Sequence, residues 1–426
     1  MVASPAPGDA APRPFAPLMG KHVIEWCGYA AGPFTGKVLA ALGAEVIKIE
    51  PPLGGDESRQ LGPFPGDLPD SEKSGLFLYL NNGKRSITLD PTTGDGRALL
   101  LRLITEWADV FIEDRPPALM EQHDLTYATL SLAKPGLVMT SITAFGQTGA
   151  YRDFRLYPTQ TAHAGGAAYI LPDGFHYENA GDLPPHEWPR LVSDYSSGVI
   201  GASGTIAALL SKQFTGRGQH VDISKQQAQM HPMRYAIDAY SNEGIIRKRQ
   251  NAPRPPGTID RSSISGTYDC KDGYVALWPI RPNMPENLVE WLGPPEWAKS
   301  ERWTDEDQRA THSKEFRDLI GVEFMKYTRD ELFHGLQAAN VCISPLYKAD
   351  EVMASDQFAS RNFFKTVHDP LLGDLPYPGL PFKVSGTAEA QPGIAPRLGE
   401  HNQAVYIDML GVQPVMLAEL RRGGAI

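Results

Sequence analysis

The sequence predicts an α/β protein with a large domain on a mainly parallel sheet and a second, smaller α+β domain. Three observations predict this fold class. Short apolar runs typical of strands alternate with helical spacing through the first half of the chain, a pattern that favours a parallel sheet covered by helices. With 426 residues, the chain is long enough for two or three domains with their own cores. A basic, proline-rich stretch at 247–257 then marks a boundary.

The elements of the first half follow in a regular order. Strands are expected at His22–Trp26, Glu45–Glu50, 86–90, 109–113 and 137–142. These are short apolar runs, and two prolines stop the second of them. The helix expected at 32–43 ends at a glycine, and the helix at 96–108 carries leucines at helical spacing. Ligands bind beyond the carboxyl ends of parallel strands. The segments that follow those ends are 27–36, 51–59, 114–120 and 143–151.

The second half begins with a long loop at 169–189, which is a candidate lid. It leads to a small-residue helix at 198–210, too short to span a bilayer, and then to a helix at 224–243. A strand is expected at 274–278, with helices near 287–292, 313–326, 330–339 and 402–410. The predicted divisions are a mobile tail at 1–17, a large α/β domain at 18–225, a linker helix and basic linker at 226–251, a small α+β domain at 252–345, and a last segment at 346–426.

Composition and charge argue against several classes of protein. The apolar content of 42% and charged content of 21% are globular values. A net charge of −10 argues against nucleic acid as the main partner, because a phosphate backbone requires a basic surface. The three cysteines are far apart and indicate neither a disulfide framework nor structural zinc, as expected of a cytoplasmic protein. The N-terminus lacks the apolar core of a signal peptide, and no membrane association is expected.

The most informative local feature is Asp194, in the run LVSDYSSG at 191–198. A carboxylate there faces the N–H groups of a helix start with little competing water, which can make a weak nucleophile useful. The local residues alone favour a helix N-cap, the commoner role for Asp at such a place, over catalysis. The surrounding motifs must decide between the two roles.

Other motifs carry less chemistry by themselves. The glycine-rich stretch 28–37 fits neither G-x-x-x-x-G-K-[ST] nor G-x-G-x-x-G, so nucleotide triphosphate hydrolysis is not expected. Binding of an anion by the free N–H groups at that helix start remains an alternative. Lys84 and Arg85 precede a strand and could hold phosphates, although a solvated turn is the commoner interpretation. The eleven histidines form no H-E-x-x-H pair, so a catalytic metal is not expected.

Taken in order, the motifs resemble those of the family III CoA-transferases, which include formyl-CoA, carnitine and bile-acid CoA-transferases and α-methylacyl-CoA racemase. The matching stretches are AGPF at 31–34, LGAEVIKIEPP at 42–52, GD at 55–56, NGKRSITLD at 82–90, ADVFIE at 108–113, SITAFGQTG at 141–149, DYSSG at 194–198, TGRGQHVDIS at 215–224, DGYVAL at 272–277, ANVCISP at 339–345 and LGEH at 398–401. They span nearly the whole chain.

The resemblance implies both an architecture and an activity. The fold would be a large Rossmann-like domain and a small domain, with the segment 346–426 returning to the large domain. Two such ring-like subunits would thread through each other as an interlocked homodimer. The activity would be reversible transfer of CoA from an acyl-CoA to a small carboxylic acid, through an aspartyl anhydride and an aspartyl-CoA thioester. Coenzyme A would be the co-substrate, with no metal.

The resemblance also assigns the site residues. Asp194 aligns with the nucleophilic aspartate of the family. Coenzyme A contacts carry over to Ala31, Lys84, Phe145 and Gly146. The chain departs from the family pattern at Pro51, at 114–115 and at Gln122, and Arg115 and the basic patch at 247–254 are expected to compensate.

Further site residues are expected around the nucleophile. Candidate oxyanion donors are the backbone N–H groups of Ser196, Ser197 and Gly198, and candidate pocket residues are Tyr157 and Tyr195.

Residue 157 favours transfer over racemisation. The related racemases carry a histidine base where this chain has Tyr157, and an imidazole takes an α-proton near neutral pH far more readily than a phenol. His163 lies further along and does not replace that base. Pro158 stands where transferases often keep an acid, and with the missing arginines it leaves open a non-catalytic CoA-binding subunit of a heteromeric transferase. A racemase that uses the same CoA cleft is the other alternative. Aromatic residues at 157, 169, 175, 177 and 188 hint at a bulky or apolar acceptor.

Overall fold

The computed structural model describes residues 16–170, 191–231, 234–246, 264–279, 281, 283–385, 387 and 392–426. Residues 1–168, 187–235 and 357–426 form one compact unit, and residues 169–186 and 236–356 form a second. Three predicted features lie wholly or mostly outside the described residues: the N-terminal tail, the long loop at 169–189 and the basic stretch at 247–257. Among the described helices, none combines the length and apolar character needed to cross a membrane.

A parallel sheet is the frame of the first unit. Its strands are β1 (His22–Trp26), β2 (Glu45–Glu50), β3 (Arg85–Thr88), β4 (Val110–Glu113), β5 (Val138–Thr143) and β6 (His220–Ser224). They lie in the order β3-β2-β1-β4-β5-β6, and every neighbouring pair is parallel. This is the strand order of doubly wound dinucleotide-binding folds. The predicted α/β fold on a parallel sheet is confirmed, and β1 and β2 have the predicted ends.

Helices alternate with these strands. They are α1 (Ala31–Ala41), α2 (Gly75–Asn81), α3 (Gly94–Arg102), α4 (Pro117–Gln122), α5 (Tyr127–Ala133), α6 (Pro158–Ala164), α7 (Val192–Thr215) and α8 (Lys225–Ala228). A π-helical turn at Leu103–Trp107 extends α3, and a 3₁₀ turn at Glu57–Gln60 follows β2. The N-termini of α2, α3 and α5 are each capped by a Ser or Thr hydroxyl that accepts a backbone N–H.

The second unit holds a small antiparallel sheet with its own core. Its strands β7 (Gly266–Cys270), β8 (Gly273–Leu277) and β9 (Ile343–Pro345) pair in chain order. The helices here are α9 (Arg234–Glu243), α10 (Met284–Trp291), α11 (Glu301–Thr304), α12 (Glu306–Thr311), α13 (Ser313–Phe324), α14 (Arg329–Ala338) and α15 (Ala349–Met353). Phe316, Ile320 and Leu332 are buried against Val275 in this core.

The C-terminal segment belongs to the first unit. It comprises α16 (Asp356–Ser360), the hairpin of β10 (Phe364–Asp369) and β11 (Gly373–Pro378), a π-helical turn at Gln403–Met409, and α17 (Pro414–Arg422). The Tyr406 hydroxyl donates to the Thr88 carbonyl at 2.7 Å. The Asn402 side chain bonds both the N–H and the hydroxyl of Thr88. The segment therefore covers β3, the edge strand of the parallel sheet.

Apolar clusters cover both faces of the parallel sheet. Ile24, Ile47 and Phe111 pack into a cluster with α3 and α17. The alternate positions, such as Val23 and Val46, pack into a second cluster with α1 and α7. Because successive strand residues point to opposite faces, near-continuous Val and Ile runs are what a sheet covered on both sides requires.

Two expectations about elements in the second half were wrong, and one strand was missed. The sequence predicts a helix over 224–243, whereas α8 ends at Ala228 and α9 begins at Arg234. His220–Ser224 was not predicted as a strand, yet it forms β6. The small-residue helix begins at Val192, well before the predicted residue 198. The hairpin β10–β11 and helix α17 were also not predicted.

Candidate active site

Asp194 is the third residue of α7, and its side chain is fully buried. The N-cap of this helix is Leu191, and no side-chain hydrogen bond caps it. The N-cap interpretation of Asp194 is therefore wrong, since this residue lies three positions after the N-cap, within the first turn.

Two groups bind the Asp194 carboxylate. The ammonium of Lys225, the first residue of α8, lies 3.3 Å from Oδ1 and 3.4 Å from Oδ2. The backbone N–H of Ala31, the first residue of α1, also faces Asp194 and lowers the pKa of its carboxyl. The starts of α1, α7 and α8 thus converge on one buried carboxylate.

Burial is the main influence on the charge of Asp194. It raises the pKa of this carboxyl above its ordinary value, Lys225 lowers it again, and the negative charge of Asp114 raises it. Without a cation, a carboxylate in such surroundings is neutralised by protonation. Lys225 is therefore the main side-chain partner that favours the ionised form of Asp194.

A close crossing of α1 and α7 brings Ala31 to Asp194. The Thr35 hydroxyl in α1 bonds the carbonyl oxygens of Ala31 and, across the crossing, of Gly198. A Cβ at position 198 would lie 2.7 Å from the Ala31 carbonyl oxygen, nearer than real Cβ contacts come. The glycine at 198 is required because the two helix backbones touch there.

The structure does not offer the three predicted oxyanion donors to the site. Since α7 begins at Val192, Ser196, Ser197 and Gly198 lie in its second turn. An α-helix uses each N–H there for the carbonyl four residues earlier, and only first-turn N–H groups are left without intrahelical partners. The hydroxyls of Ser196 and Ser197 likewise bond helix carbonyls, at 3.0 and 2.8 Å. The N–H of Ala31 is the donor that the fold does bring to Asp194.

Lys84 lies in a buried ion network beside β1. Its ammonium donates to Glu25 Oε2, the Pro33 carbonyl and Asn81 Oδ1, each at 2.8 Å. Glu25 also binds the ammonium of Lys48 at 3.1 Å. Burial lowers the pKa of Lys84 to about 8, although the charge of Glu25 opposes this. All three protons of the ammonium are therefore used inside the protein, where they fix the start of α1 through Pro33.

The other predicted coenzyme A contacts lie after the carboxyl ends of two strands. Arg115 follows β4, and its guanidinium binds Asp114 Oδ1 at 2.6 Å. Phe145 and Gly146 follow β5, where the Phe145 ring contacts Tyr151 at 5.6 Å between centroids. Gly146 has a φ of +86°, a left-handed conformation that favours glycine.

The predicted pocket residues Tyr157 and Tyr195 lie within a larger set of aromatic contacts. Tyr157 is 59% exposed, and its ring meets that of Tyr29 edge-on at 5.8 Å. Tyr195 contacts Phe34 at 4.9 Å and Tyr79 at 6.0 Å. Burial raises the pKa of Tyr195 to about 12. A cavity of about 300 Å³ lies here, lined by Tyr29, Leu61, Gly62, Pro63, Gly75, Leu76, Tyr79, Leu191 and Tyr195.

Lys225, Tyr29 and Tyr79 were missed from the sequence. A signal for Lys225 existed, because it directly follows the carboxyl end of β6, the edge where parallel sheets bind ligands. It could be used only once β6 was recognised. Tyr29 lies in the segment 27–36 that follows β1, so its position carried the same signal. Tyr79 carries no comparable signal, because isolated tyrosines are ordinary residues of a core or surface.

Comparisons with known proteins give matches that cover most of the chain and point to one family. The model of the family described as CoA-transferase family III matches residues 18–402. Succinyl-CoA–D-citramalate CoA-transferase of Chloroflexus aurantiacus is 32% identical over 96% of this chain and 98% of its own. The succinyl-CoA:(R)-benzylsuccinate CoA-transferase subunit BbsE of Thauera aromatica is 31% identical over 93% of this chain and 95% of its own.

A solved structure supports the α/β fold described above. The crystal structure of a CAIB/BAIF family protein from Brucella suis has a TM-score of 0.79 and 28% sequence identity, and covers 92% of this chain and 99% of its own.

Proposed function

Because this chain belongs to CoA-transferase family III, we propose that Asp194 is the nucleophile with which it moves coenzyme A reversibly between an acyl-CoA and a free carboxylic acid. The enzyme class, an acyl-CoA:carboxylate CoA-transferase, follows from the family and from the named transferases among its relatives. The observation that carries the proposal is the buried Asp194 carboxylate paired with Lys225 at the converging starts of three helices.

The proposed reaction exchanges acyl groups on Asp194 in balanced steps. A carboxylate oxygen attacks the thioester carbonyl of the donor, the C–S bond breaks, and coenzyme A thiolate leaves an aspartyl–acyl anhydride. The thiolate then attacks the aspartyl carbonyl, so that the donor acid departs and an aspartyl-CoA thioester remains. The acceptor carboxylate attacks this thioester and expels the thiolate, which leaves a second anhydride. The thiolate then attacks the acceptor acyl carbonyl, so that the new acyl-CoA forms and the Asp194 carboxylate is released. No net proton is consumed, and the covalent steps together replace one harder direct displacement.

Lys225 and Ala31 support this chemistry by charge and by orientation. The ammonium of Lys225 favours the ionised form of Asp194, which is the form that attacks. The N–H of Ala31 points at the same carboxylate, so it is the proposed donor to the oxyanion that forms when the aspartyl carbonyl is attacked.

Coenzyme A is proposed to lie along the carboxyl ends of the parallel strands. Ala31, Phe145 and Gly146 follow β1 and β5 there, and Arg115 follows β4 with a cation for a phosphate. For Lys84 we favour an indirect role, holding the turn that contains Ala31, because its three protons are already bonded. The proposed assembly is an interlocked homodimer, and the proposed location is the cytoplasm. Light scattering of the purified chain would test whether it is a dimer. A heteromer is the alternative outcome.

The test is a mass-spectrometric screen for CoA exchange from acetyl-CoA and succinyl-CoA into a mixed acid library, with wild-type protein and Asp194→Ala. Exchange by the wild type and loss of at least about a thousandfold in the variant are expected, since the variant lacks the group that is acylated. The matched control is Asp95→Ala, which removes an exposed carboxylate from the first turn of α3. Near wild-type turnover by the Asp194 variant would contradict the mechanism.

Trapping adds an independent readout. Hydroxylamine treatment during turnover should convert the acylated side chain to a hydroxamate on the peptide that contains Asp194. A modification mapped to another acidic residue would also contradict the proposal.

A further inference from the structure

The cavity beside Tyr195 lies within the first unit, and its lining is apolar and aromatic. Three tyrosines, Tyr29, Tyr79 and Tyr195, present rings to it, and leucines, a proline and two glycines form the remainder. Tyr195 directly follows Asp194 in α7, and the charge of Asp194 acts on it, so one wall residue of the cavity is a neighbour of the proposed nucleophile. A volume of about 300 Å³ is roughly twice that of an apolar cavity known to hold benzene.

Two strained residues shape this cavity. Tyr29 has a φ of +61° and Leu191 a φ of +73°, in the left-handed region that bulky residues rarely adopt. The other described non-glycine residues with positive φ are all Asp or Asn, which tolerate it. Such strain persists where the surroundings impose it, and it concentrates at binding sites. The backbone N–H of Tyr29 is held by Asp56 Oδ1 at 3.1 Å, and the backbone of Leu191 forms the N-cap of α7.

None of the described lining residues carries a charge. Two cations near the lining, Lys37 and Arg59, are bound to other groups. The Lys37 ammonium lies 3.6 Å from the centre of the Tyr79 ring and donates to the Tyr79 carbonyl and to Asn82 Oδ1. Arg59 is bound to Glu50 through two hydrogen bonds, at 2.7 and 2.9 Å. A second carboxylate placed in this cavity would therefore lose its water without gaining a cation.

We infer that the acid served by this cavity is a monocarboxylic acid with an apolar, branched or aromatic tail, and that dicarboxylic acids are poor substrates. This inference rests on the proposed function, because the acyl group must be attached to Asp194 for its tail to enter the cavity. Aromatic walls favour a phenyl tail through edge-to-face contacts, and branched aliphatic tails fill the same volume. The expected class differs from the dicarboxylic acids in the names of several relatives.

The decisive experiment compares acceptors of equal shape. Succinate and 4-methylpentanoate differ only in that two carboxylate oxygens of the first are replaced by methyl groups in the second, and 3-phenylpropanoate adds the aromatic case. With wild-type protein and acetyl-CoA as donor, kcat/KM should be at least tenfold higher for 4-methylpentanoate and 3-phenylpropanoate than for succinate. Equal or better use of succinate would overturn the inference while leaving the proposed function intact.

A variant tests whether this cavity sets the preference. Leu76→Arg introduces a cation into the wall, and it should lower the ratio of kcat/KM for 4-methylpentanoate to that for succinate by at least tenfold. Leu132→Arg is the matched control, because Leu132 is 84% exposed on α5, and it should leave the ratio unchanged. An unchanged ratio in a folded Leu76→Arg protein would refute the assignment of the cavity.

A binding measurement distinguishes failure of the proposed function from failure of the cavity assignment. Saturation-transfer NMR of the free acids with wild-type protein needs no turnover, and it should show 3-phenylpropanoate but not succinate in contact with tyrosine protons. If no acid undergoes exchange but 3-phenylpropanoate binds in this way, the proposed function fails and the cavity assignment stands. Equal signals for both acids, or none for 3-phenylpropanoate, would overturn the cavity assignment itself.

Discussion

Replacement of Lys225 by methionine should shift the acidic limb of the pH profile of catalysis to higher pH. The ammonium lies 3.3 and 3.4 Å from the two oxygens of a fully buried Asp194 carboxylate. At an effective dielectric near 20, two unit charges about 4 Å apart interact with about 4 kcal/mol. The Lys225 side chain is 14% exposed, so part of that energy is screened. We take on the order of 2 kcal/mol as the loss, more than the roughly 1.4 kcal/mol that corresponds to a tenfold change.

The sign of the pH effect follows from the environment of the carboxyl. Burial raises the pKa of Asp194, and Lys225 opposes that rise. Removing the cation raises the pKa further, so a smaller fraction of Asp194 is ionised at pH 7. The acidic limb of kcat/KM should therefore move to higher pH by on the order of 1.5 units, so that activity falls most at low pH and recovers as the pH rises, because only the carboxylate attacks.

The assay is kcat/KM for CoA exchange between pH 5.5 and 9, measured on wild type, Lys225→Met and Lys225→Arg. The arginine variant keeps the positive charge and should retain an acidic limb close to that of the wild type. Lys212→Met is the matched control, because Lys212 pairs with Asp109 at 3.1 Å and lies in the last turn of α7. An acidic limb at the same pH in Lys225→Met and wild type would refute this reasoning.

Three further predictions concern stability. Since burial raises the pKa of Asp194, its charge opposes folding at neutral pH. Asp194→Asn should therefore raise the melting temperature by on the order of 2 °C at pH 8, with no gain near pH 3.5; equal gains at both would contradict this. Gly198→Ala places a Cβ 2.7 Å from a carbonyl of α1 and should cost about 1–3 kcal/mol of unfolding free energy in urea, whereas Gly94→Ala, with open space around it, should cost much less. Tyr406→Phe leaves a buried carbonyl on β3 unbonded and should cost about 1–3 kcal/mol by the same measurement; an unchanged midpoint would argue against the bond.

Local signals predicted the first half of the fold well. The runs at His22–Trp26 and Glu45–Glu50 are rich in Val and Ile and are followed by Gly28 and by two prolines, so their ends could be placed correctly. His220–Ser224 mixes polar and apolar residues because its first three residues are less buried, and it was not recognised as β6. The start of α7 was misplaced because its N-cap, Leu191, is a left-handed leucine and not a recognised start signal.

Site residues that stand in a local sequence motif were predicted, whereas those that reach the site only through folding were missed. Asp194 stands in a recognisable motif, so it could be proposed from the sequence alone. Its partner Lys225 is 31 residues away and reaches the carboxylate only through the packing of α7 against β6 and α8. The interior bonding of Lys84 also depends on Glu25, which is 59 residues distant. Contacts of this kind are properties of the folded chain and leave no local pattern.

The covering of β3 by the C-terminal segment has a consequence for biosynthesis. Thr88 and Asp90 receive partners from residues 402, 406 and 425, more than three hundred positions later. During translation the free edge of β3 therefore stays uncovered until the last codons have been translated. We expect the interval from 236 to 356, a continuous stretch with its own apolar centre, to fold on the ribosome first. Nascent chains arrested before codon 400 should then resist protease in that interval and be cut around residue 88.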